Sequence, residues 1–170
     1  MLFSPASLWS RGFLCPQSPF SKNQLSYLCD IKSNKMETVK TIYQGEYRTQ
    51  ATHLLSSQSI ITDAPTDNNG KGEAFSPTDL VATAMGSCML TIMDMTASTH
   101  GFSLDKITVR TTKIMASNPR RIAEIVMDFD FNKENPYTSK QKAILENAAK
   151  HCPVAKSIHP DIKVVTNFNY

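Results

Sequence analysis

Ser76-Pro-Thr-Asp-Leu-Val-Ala-Thr-Ala-Met-Gly-Ser-Cys-Met-Leu-Thr-Ile-Met-Asp-Met-Thr-Ala-Ser-Thr-His100 decides the fold of this 170-residue chain. Ser76 can cap free backbone N–H groups, Pro77 suits a first helical turn, and Asp79 stands three residues on in capping-box position, so a helix opens here. Thr99, His100 and Gly101 close it. Between the two ends lie Leu80, Val81, Ala84, Met85, Cys88, Met89, Ile92, Met93 and Met95 with few charges. That is the wide apolar surface of a mostly buried helix. Cys88 is then a mid-helix residue near the core.

Working outward, Val39, Thr41, Tyr43, Gly45 and Tyr47 alternate with Lys40, Ile42, Gln44 and Glu46, and a second extended run covers Thr49 to Leu55. Period-two alternation with a short break predicts a hairpin. Residues 63–72 are rich in turn formers, with Asn69-Gly70, and predict an exposed loop. Downstream, two long strands are expected at Leu104–Met115 and Arg120–Phe131. The second places Ala123, Ile125, Met127, Phe129 and Phe131 on one face and Glu124, Asp128 and Asp130 on the other. A helix follows from Tyr137–Thr138, with Ile144, Leu145, Ala148, Ala149 and Cys152 on one side, and Pro153 ends it. A last strand at Ile162–Tyr170 completes a β-β-α-β-β-α-β order. The fold class is α+β, an antiparallel sheet wrapping a long central helix.

Lys and Arg total 18 against 15 Asp and Glu. Residues 1–35 hold Arg11, Lys22, Lys32 and Lys35 but only Asp30, so residues 36–170 balance at 14 against 14. Binding to nucleic acid is not expected, because phosphate affinity requires clustered cations. No uninterrupted apolar run approaches the roughly 20 residues that cross a bilayer, so no membrane partner is expected. Residues 1–35 show neither helical nor strand period. They read as a non-native upstream extension, with Met36 as the working start, or as a disordered or cleavable leader. Residues 36–170 form the single domain. Cys15, Cys29, Cys88 and Cys152 contain no CxxC pair. A reducing compartment follows, hence a cytoplasmic location, or an organelle if the first 35 residues are a genuine leader.

Each of the domain's two cysteines falls on the apolar side of one of its two helices. Both can be small core hydrophobes, since unpaired Cys is among the most buried residue types. They can also be a peroxidatic and a resolving thiol, the first forming a sulfenic acid that condenses with the second. A lowered pKa at Cys88 would then need a nearby cation. Arg48, Arg110, Arg120 and Arg121 are available. Arg120-Arg121 reads as a surface turn, which favours Arg48, held by one of Glu73, Asp79 or Glu46. His151 and His159 beside Cys152 raise a zinc site, but no tight ligand spacing appears and no metal is expected. The methionines read as adaptable core rather than copper ligands.

The stretch Ser76–Leu90 resembles the first-cysteine helix of the OsmC/Ohr family of thiol peroxidases, and His151-Cys-Pro-Val-Ala-Lys-Ser-Ile-His159 resembles its second-cysteine segment. The strand pair around Ser117–Ile122 is similar to one branch of it. The resemblance implies an intertwined homodimer with active sites at the interface and the two cysteines close together. It implies reduction of organic hydroperoxides, with Cys88 attacking and Cys152 resolving through a Cys88–Cys152 disulfide. It also implies regeneration by a dithiol or thiol reductant, and no bound cofactor. Better-known branches carry a glutamate directly after the helix-opening proline, where it orients an arginine; this chain has Thr78 there and Asp79 next. Asp79 is one methylene shorter than glutamate and one position later, so its side chain points roughly 100° further round the helix; it is counted with Cys88, Cys152 and Arg48 among the expected site residues. The alternative to an enzyme is a non-enzymatic thiol redox sensor or small-ligand-binding domain of the same fold.

Overall fold

The Ser76 side chain accepts the Asp79 backbone N–H while the Asp79 carboxylate accepts the Ser76 N–H, and this reciprocal cap starts helix α1, Pro77–Thr99. The computed structural model describes residues 36–134 and 136–170. The chain divides into two units, Met1–Thr38 and Val39–Tyr170, and every element below belongs to the second. The expectations for residues 1–35 lie outside the described residues.

Met85, Met89, Met93 and Ala97 form an i, i+4 row on α1 and are all buried. By length and composition α1 is apolar enough to cross a bilayer, which corrects the expectation that no segment is. Its methionine row instead packs into the domain core with Ile125, Met127, Phe129 and Leu145. Met95, grouped with the other methionines in sequence, faces outward at 62% exposure, so the Met cluster is not a single ligand set. At Gly86 an added Cβ would lie 3.4 Å from Thr111 Oγ1 and 3.5 Å from Val109 Cγ1, which marks where the helix runs closest to its neighbouring strand.

Two three-stranded sheets accompany α1. In the first, β1 (Val39–Gly45), β2 (Arg48–His53) and β3 (Ser59–Thr62) are antiparallel in that order. The hairpin β1–β2 is the expected one; β3 is an added strand, too short for alternation to reveal it. Thr66–Asn68 make one turn of 3-10 helix in the following loop. Gly70 is obligatory in that loop, because a Cβ there would fall 1.7 Å from the Ala64 carbonyl oxygen.

In the second sheet β4 (Thr108–Ser117) and β5 (Arg120–Asp130) form a long antiparallel hairpin, and β6 (Lys163–Asn169) adds to β5 in parallel. The parallel pair departs from the all-antiparallel expectation. A chain that leaves β5 and crosses over through helices returns in the same direction, as parallel pairing requires. Those helices are α2 (Ser139–Lys150), capped reciprocally by Thr138 and Gln141, and α3 (Pro153–Ser157). One further difference lies in β5. Ile114 opposes Glu124 but Met115 opposes Ile122, so Ala123 is an extra residue. The bulge shifts the phase, and Ile122, not Ala123, is buried alongside Ile125, Met127 and Phe129.

Candidate redox site

Cys88 projects from the middle of α1, half-buried, and packs against the core cluster. Cys152 lies between α2 and α3 and is fully buried. Pro153 stops α2, so the chain turns sharply at Cys152, whose backbone N–H bonds the Ala149 carbonyl at 3.2 Å. This turn aims its thiol at α1, where Sγ donates to the Met85 carbonyl at 3.9 Å. Burial pushes the Cys152 thiol above its ordinary value, and a hydrogen-bonding interaction with the Cys88 side chain raises it further. The two sulfurs, 64 positions apart in sequence, are thus neighbours in space, and both are free thiols.

Arg48, at the start of β2, donates through Nη2 to Asp63 Oδ2 at 3.0 Å and to Glu73 Oε2 at 2.5 Å. These two carboxylates, Glu73 first, raise the guanidinium further above its already high value. Asp63 was not anticipated. Its side chain is completely buried at the end of β3, and it also accepts the Glu73 backbone N–H at 3.1 Å. That N–H and then, against the cost of burial, Arg48 hold the Asp63 carboxyl below the usual range. Its second oxygen, Oδ1, has no hydrogen-bond partner among the described residues. Glu46, the third carboxylate considered for Arg48, pairs with Lys71 instead.

Asp79 is not a partner of Arg48. Its carboxylate closes the α1 capping box and meets Lys113 Nζ at 2.8 Å. The physical reason is direction. Asp79 at the third helical position reaches back to the cap, where it also accepts the Ser76 hydroxyl at 2.7 Å, and β4 brings Lys113 to the same point. Burial opposes its charge, but the hydrogen bonds from Lys113 and Ser76 outweigh it and keep the carboxyl below its ordinary value. Lys113 Nζ also donates to Thr78 Oγ1 at 2.7 Å. Lys113 was missed, although a signal existed: it shares the inward phase of β4 with Val109, Thr111 and Met115. A lysine in that phase with 15% side-chain exposure is held for a reason.

The other candidates are engaged elsewhere. Arg110 pairs with Asp130, and Arg120 reaches both Asp67 oxygens at 3.1 and 3.2 Å, tying the loop after β3 to the β4–β5 turn. His151 Nδ1 lies 2.8 Å from the Asn147 carbonyl and His159 stands beside Asp161. Among the described residues no group of three His, Cys, Asp or Glu side chains is close enough to hold a metal ion.

The OsmC-like protein family matches residues 70–167, which contain both cysteines. A crystal structure from Psychrobacter arcticus, provisionally described as an osmotic stress induced and detoxification response protein, is 48% identical over 80% of this chain and 98% of its own, with a TM-score of 0.76. An organic hydroperoxide resistance protein OsmC from Legionella pneumophila shares the fold at 14% identity, covering 81% of this chain and all of its own, with a TM-score of 0.64. An organic hydroperoxide resistance protein from Elizabethkingia anophelis does so at 13% identity, with a TM-score of 0.60 over 79% of this chain and 97% of its own. A search of curated proteins returned no match. With a family match over more than half of its length and nearly half its residues identical to a structure of the same fold, the chain belongs to the OsmC-like protein family.

Proposed function

We propose that this protein reduces organic hydroperoxides with its paired cysteines. The observation that carries this proposal is the placement of a fully buried Cys152, its thiol donating to the Met85 carbonyl on α1, one turn from the half-buried Cys88 on the same helix. The family includes organic hydroperoxide resistance proteins, which supports a role in peroxide resistance. The Cys88 thiolate attacks the distal peroxide oxygen, the O–O bond breaks, and the alcohol leaves with a proton. The Cys88 sulfenic acid then condenses with Cys152, releasing water and forming the disulfide. An external dithiol restores both thiols. Only the Cys88 sulfur lies near the surface, so the reductant attacks there and Cys152 leaves.

Arg48 is the supporting cation in this proposal, and Asp63 and Glu73 take the positioning role first given to Asp79. Completion of the site by a second copy is part of the same proposal. Val39, Ile42, Tyr43, Ile60 and Ile61 leave apolar surface on the first sheet, and Val81 and Met95 on α1. Val39, Tyr43 and Ile60 share one face of this sheet and Ile42 and Ile61 the other, so apolar exposure on both faces supports an interaction surface here. Aliphatic and methionine side chains around Cys88 favour lipid-like or aromatic peroxides over highly polar ones.

The test is peroxide consumption with cumene hydroperoxide and a dithiol. Cys88→Ser abolishes it, whereas Cys152→Ser allows one turnover and leaves a trappable sulfenic acid. Full steady-state activity in Cys88→Ser overturns the proposal. A raised Cys152 thiol also suits a slow sensor, because the neutral form is a poor nucleophile. Stoichiometric oxidation without turnover under several dithiols would decide for that alternative.

A further inference from the structure

At the opposite end of α1 from its capping box, a cavity of about 270 Å³ is walled by Phe131, Tyr137 and Tyr170. Phe131 stacks on Tyr170 at a centroid distance of 4.1 Å and meets Tyr137 edge-on at 5.6 Å. Lys133 and Lys142 line the same space, and the Lys142 ammonium stands 4.3 Å from the centre of the Tyr170 ring. A second, wider cavity of about 810 Å³ joins the first at Pro136 and Tyr137, and there Ser98, Ser103, Gln141 and the Asp105 carboxylate supply polar groups, so a ligand's anionic group belongs in the first lobe beside the lysines.

The walls are held in place. The Asp105 backbone N–H donates to the Tyr137 hydroxyl at 2.9 Å, and the Asn132 amide donates to Asp105 Oδ2 at 3.1 Å. Eleven residues at 1.5 Å rise put the Thr99 end of α1 about 17 Å along the helix from Cys88, so the cavities lie apart from the thiol pair.

From this arrangement we infer a second site, for a planar aromatic carboxylate. Three rings in offset and edge-on contact accept a further flat ring, which gains both buried area and favourable ring geometry. Two ammonium groups beside a low-polarity wall supply charge-assisted hydrogen bonds to a carboxylate at the ring's edge. Glu146 interacts with the Tyr170 hydroxyl, on the ring that the Lys142 ammonium faces. The space of the inner lobe matches one or two fused rings, with the polar lobe left for a substituent. Ligand sites are commonly concavities of this kind, apolar with a few convergent polar groups.

The probe is 2-naphthoate, added to the reduced, isotope-labelled full chain and followed by amide chemical shifts. Saturable shifts are expected at residues 131–142 and 170. The neutral isostere 2-naphthalenemethanol is expected to bind about tenfold more weakly, the effect of losing one charge-assisted contact. Lys133→Met, at an exposed position, and Lys142→Met, at a half-buried one over the Tyr170 ring, each weaken 2-naphthoate several-fold, and Lys133→Met does so without altering the melting temperature in its absence. Absence of saturation, shifts centred on Cys88, or equal affinity for the neutral isostere overturns the inference. Peroxide turnover plays no part in this readout, so it stands or falls independently of the proposed function.

Discussion

The sheet β4–β5–β6 buries Ile125, Met127 and Phe129 completely, whereas the strands of β1–β2–β3 bury only Thr62. Both sheets alternate, both have three strands, and both are built from similar residues. The difference is cover. Helices α1 and α2 lie on the second sheet and remove its inward face from water. Among the described residues nothing does this for the first sheet, whose Ile60 and Ile61 each remain about half exposed, at 49% and 48%. Alternation states which residues could share a face; a second layer decides whether that face becomes core.

The largest expected effect tests the covered sheet. Phe129→Ala removes a fully buried ring stacked on Phe168 at 5.0 Å, and should cost about 3–5 kcal/mol in urea or thermal unfolding. A loss below 1 kcal/mol would mean that the second sheet is not the core.

Next come the two charged clusters that tie the sheets to α1. Asp63→Ala removes a buried acceptor from Arg48 and from the Glu73 N–H, and Lys113→Met removes the ammonium held by Thr78 and Asp79. Each should cost about 1–3 kcal/mol, the usual loss when a buried or half-buried partner is left unmatched. The exposed Arg120–Asp67 pair is the control, with less than about 1 kcal/mol expected for Asp67→Asn. Equal losses at all three would remove the distinction between held and solvated charges.

Stability should also fall at both extremes of pH, for opposite reasons. Asp63 and Asp79 titrate below their ordinary value of 3.8 in the fold, so their contribution is complete above that value. It is lost as the pH drops through the lower, folded value. Cys152 has the reverse sign. Its thiol is raised above 9.0, so its contribution is full below that pH and disappears as the pH rises through the folded value. Cys152→Ala should flatten the alkaline limb and leave the acid limb unchanged, as read from melting temperature against pH.

The smallest effect on folding belongs to the uncovered sheet. Ile60→Lys, on an exposed strand, should change unfolding free energy by less than about 0.5 kcal/mol per protomer. If a second copy covers this sheet, the same change shifts sedimentation toward the monomer. Unaltered sedimentation of a wild-type dimer would place the interface elsewhere.

These contrasts show how far residues could be read without coordinates. The α1 cap was legible because Ser76, Pro77 and Asp79 act within four positions, and the buried phase of β5 was legible from Ile125 to Phe131. The phase failed at Ile122, since a one-residue bulge leaves no mark in composition. Arg48 stands out in the sequence with Glu73, Asp79 and Glu46 as possible partners, and of these Glu73 pairs with it while Asp79 serves the α1 cap. Asp63 was hidden in a segment that looks like exposed turn, and Lys113 looked like an ordinary strand lysine. Both gain their meaning from partners distant in sequence, Asp63 from Arg48 and Lys113 from the α1 cap.

The amino-acid order alone determined where α1 begins, the buried row Met85, Met89 and Met93 of α1 and Leu145, Ala148 and Ala149 of α2, most of the inward phase of β5, and that Cys88 and Cys152 sit on apolar faces, whereas Val81, Ala84 and Met95 of α1 turn outward. Those properties follow from hydrogen bonds and periodicities spanning a few residues. Only the tertiary structure decided that β6 joins β5 in parallel, that the guanidinium of Arg48 rests on Asp63 and Glu73, and that the buried Cys152 thiol faces α1 one turn from Cys88. Each of these depends on chain closures of fifteen to more than sixty residues, whose outcome is set by how the layers pack.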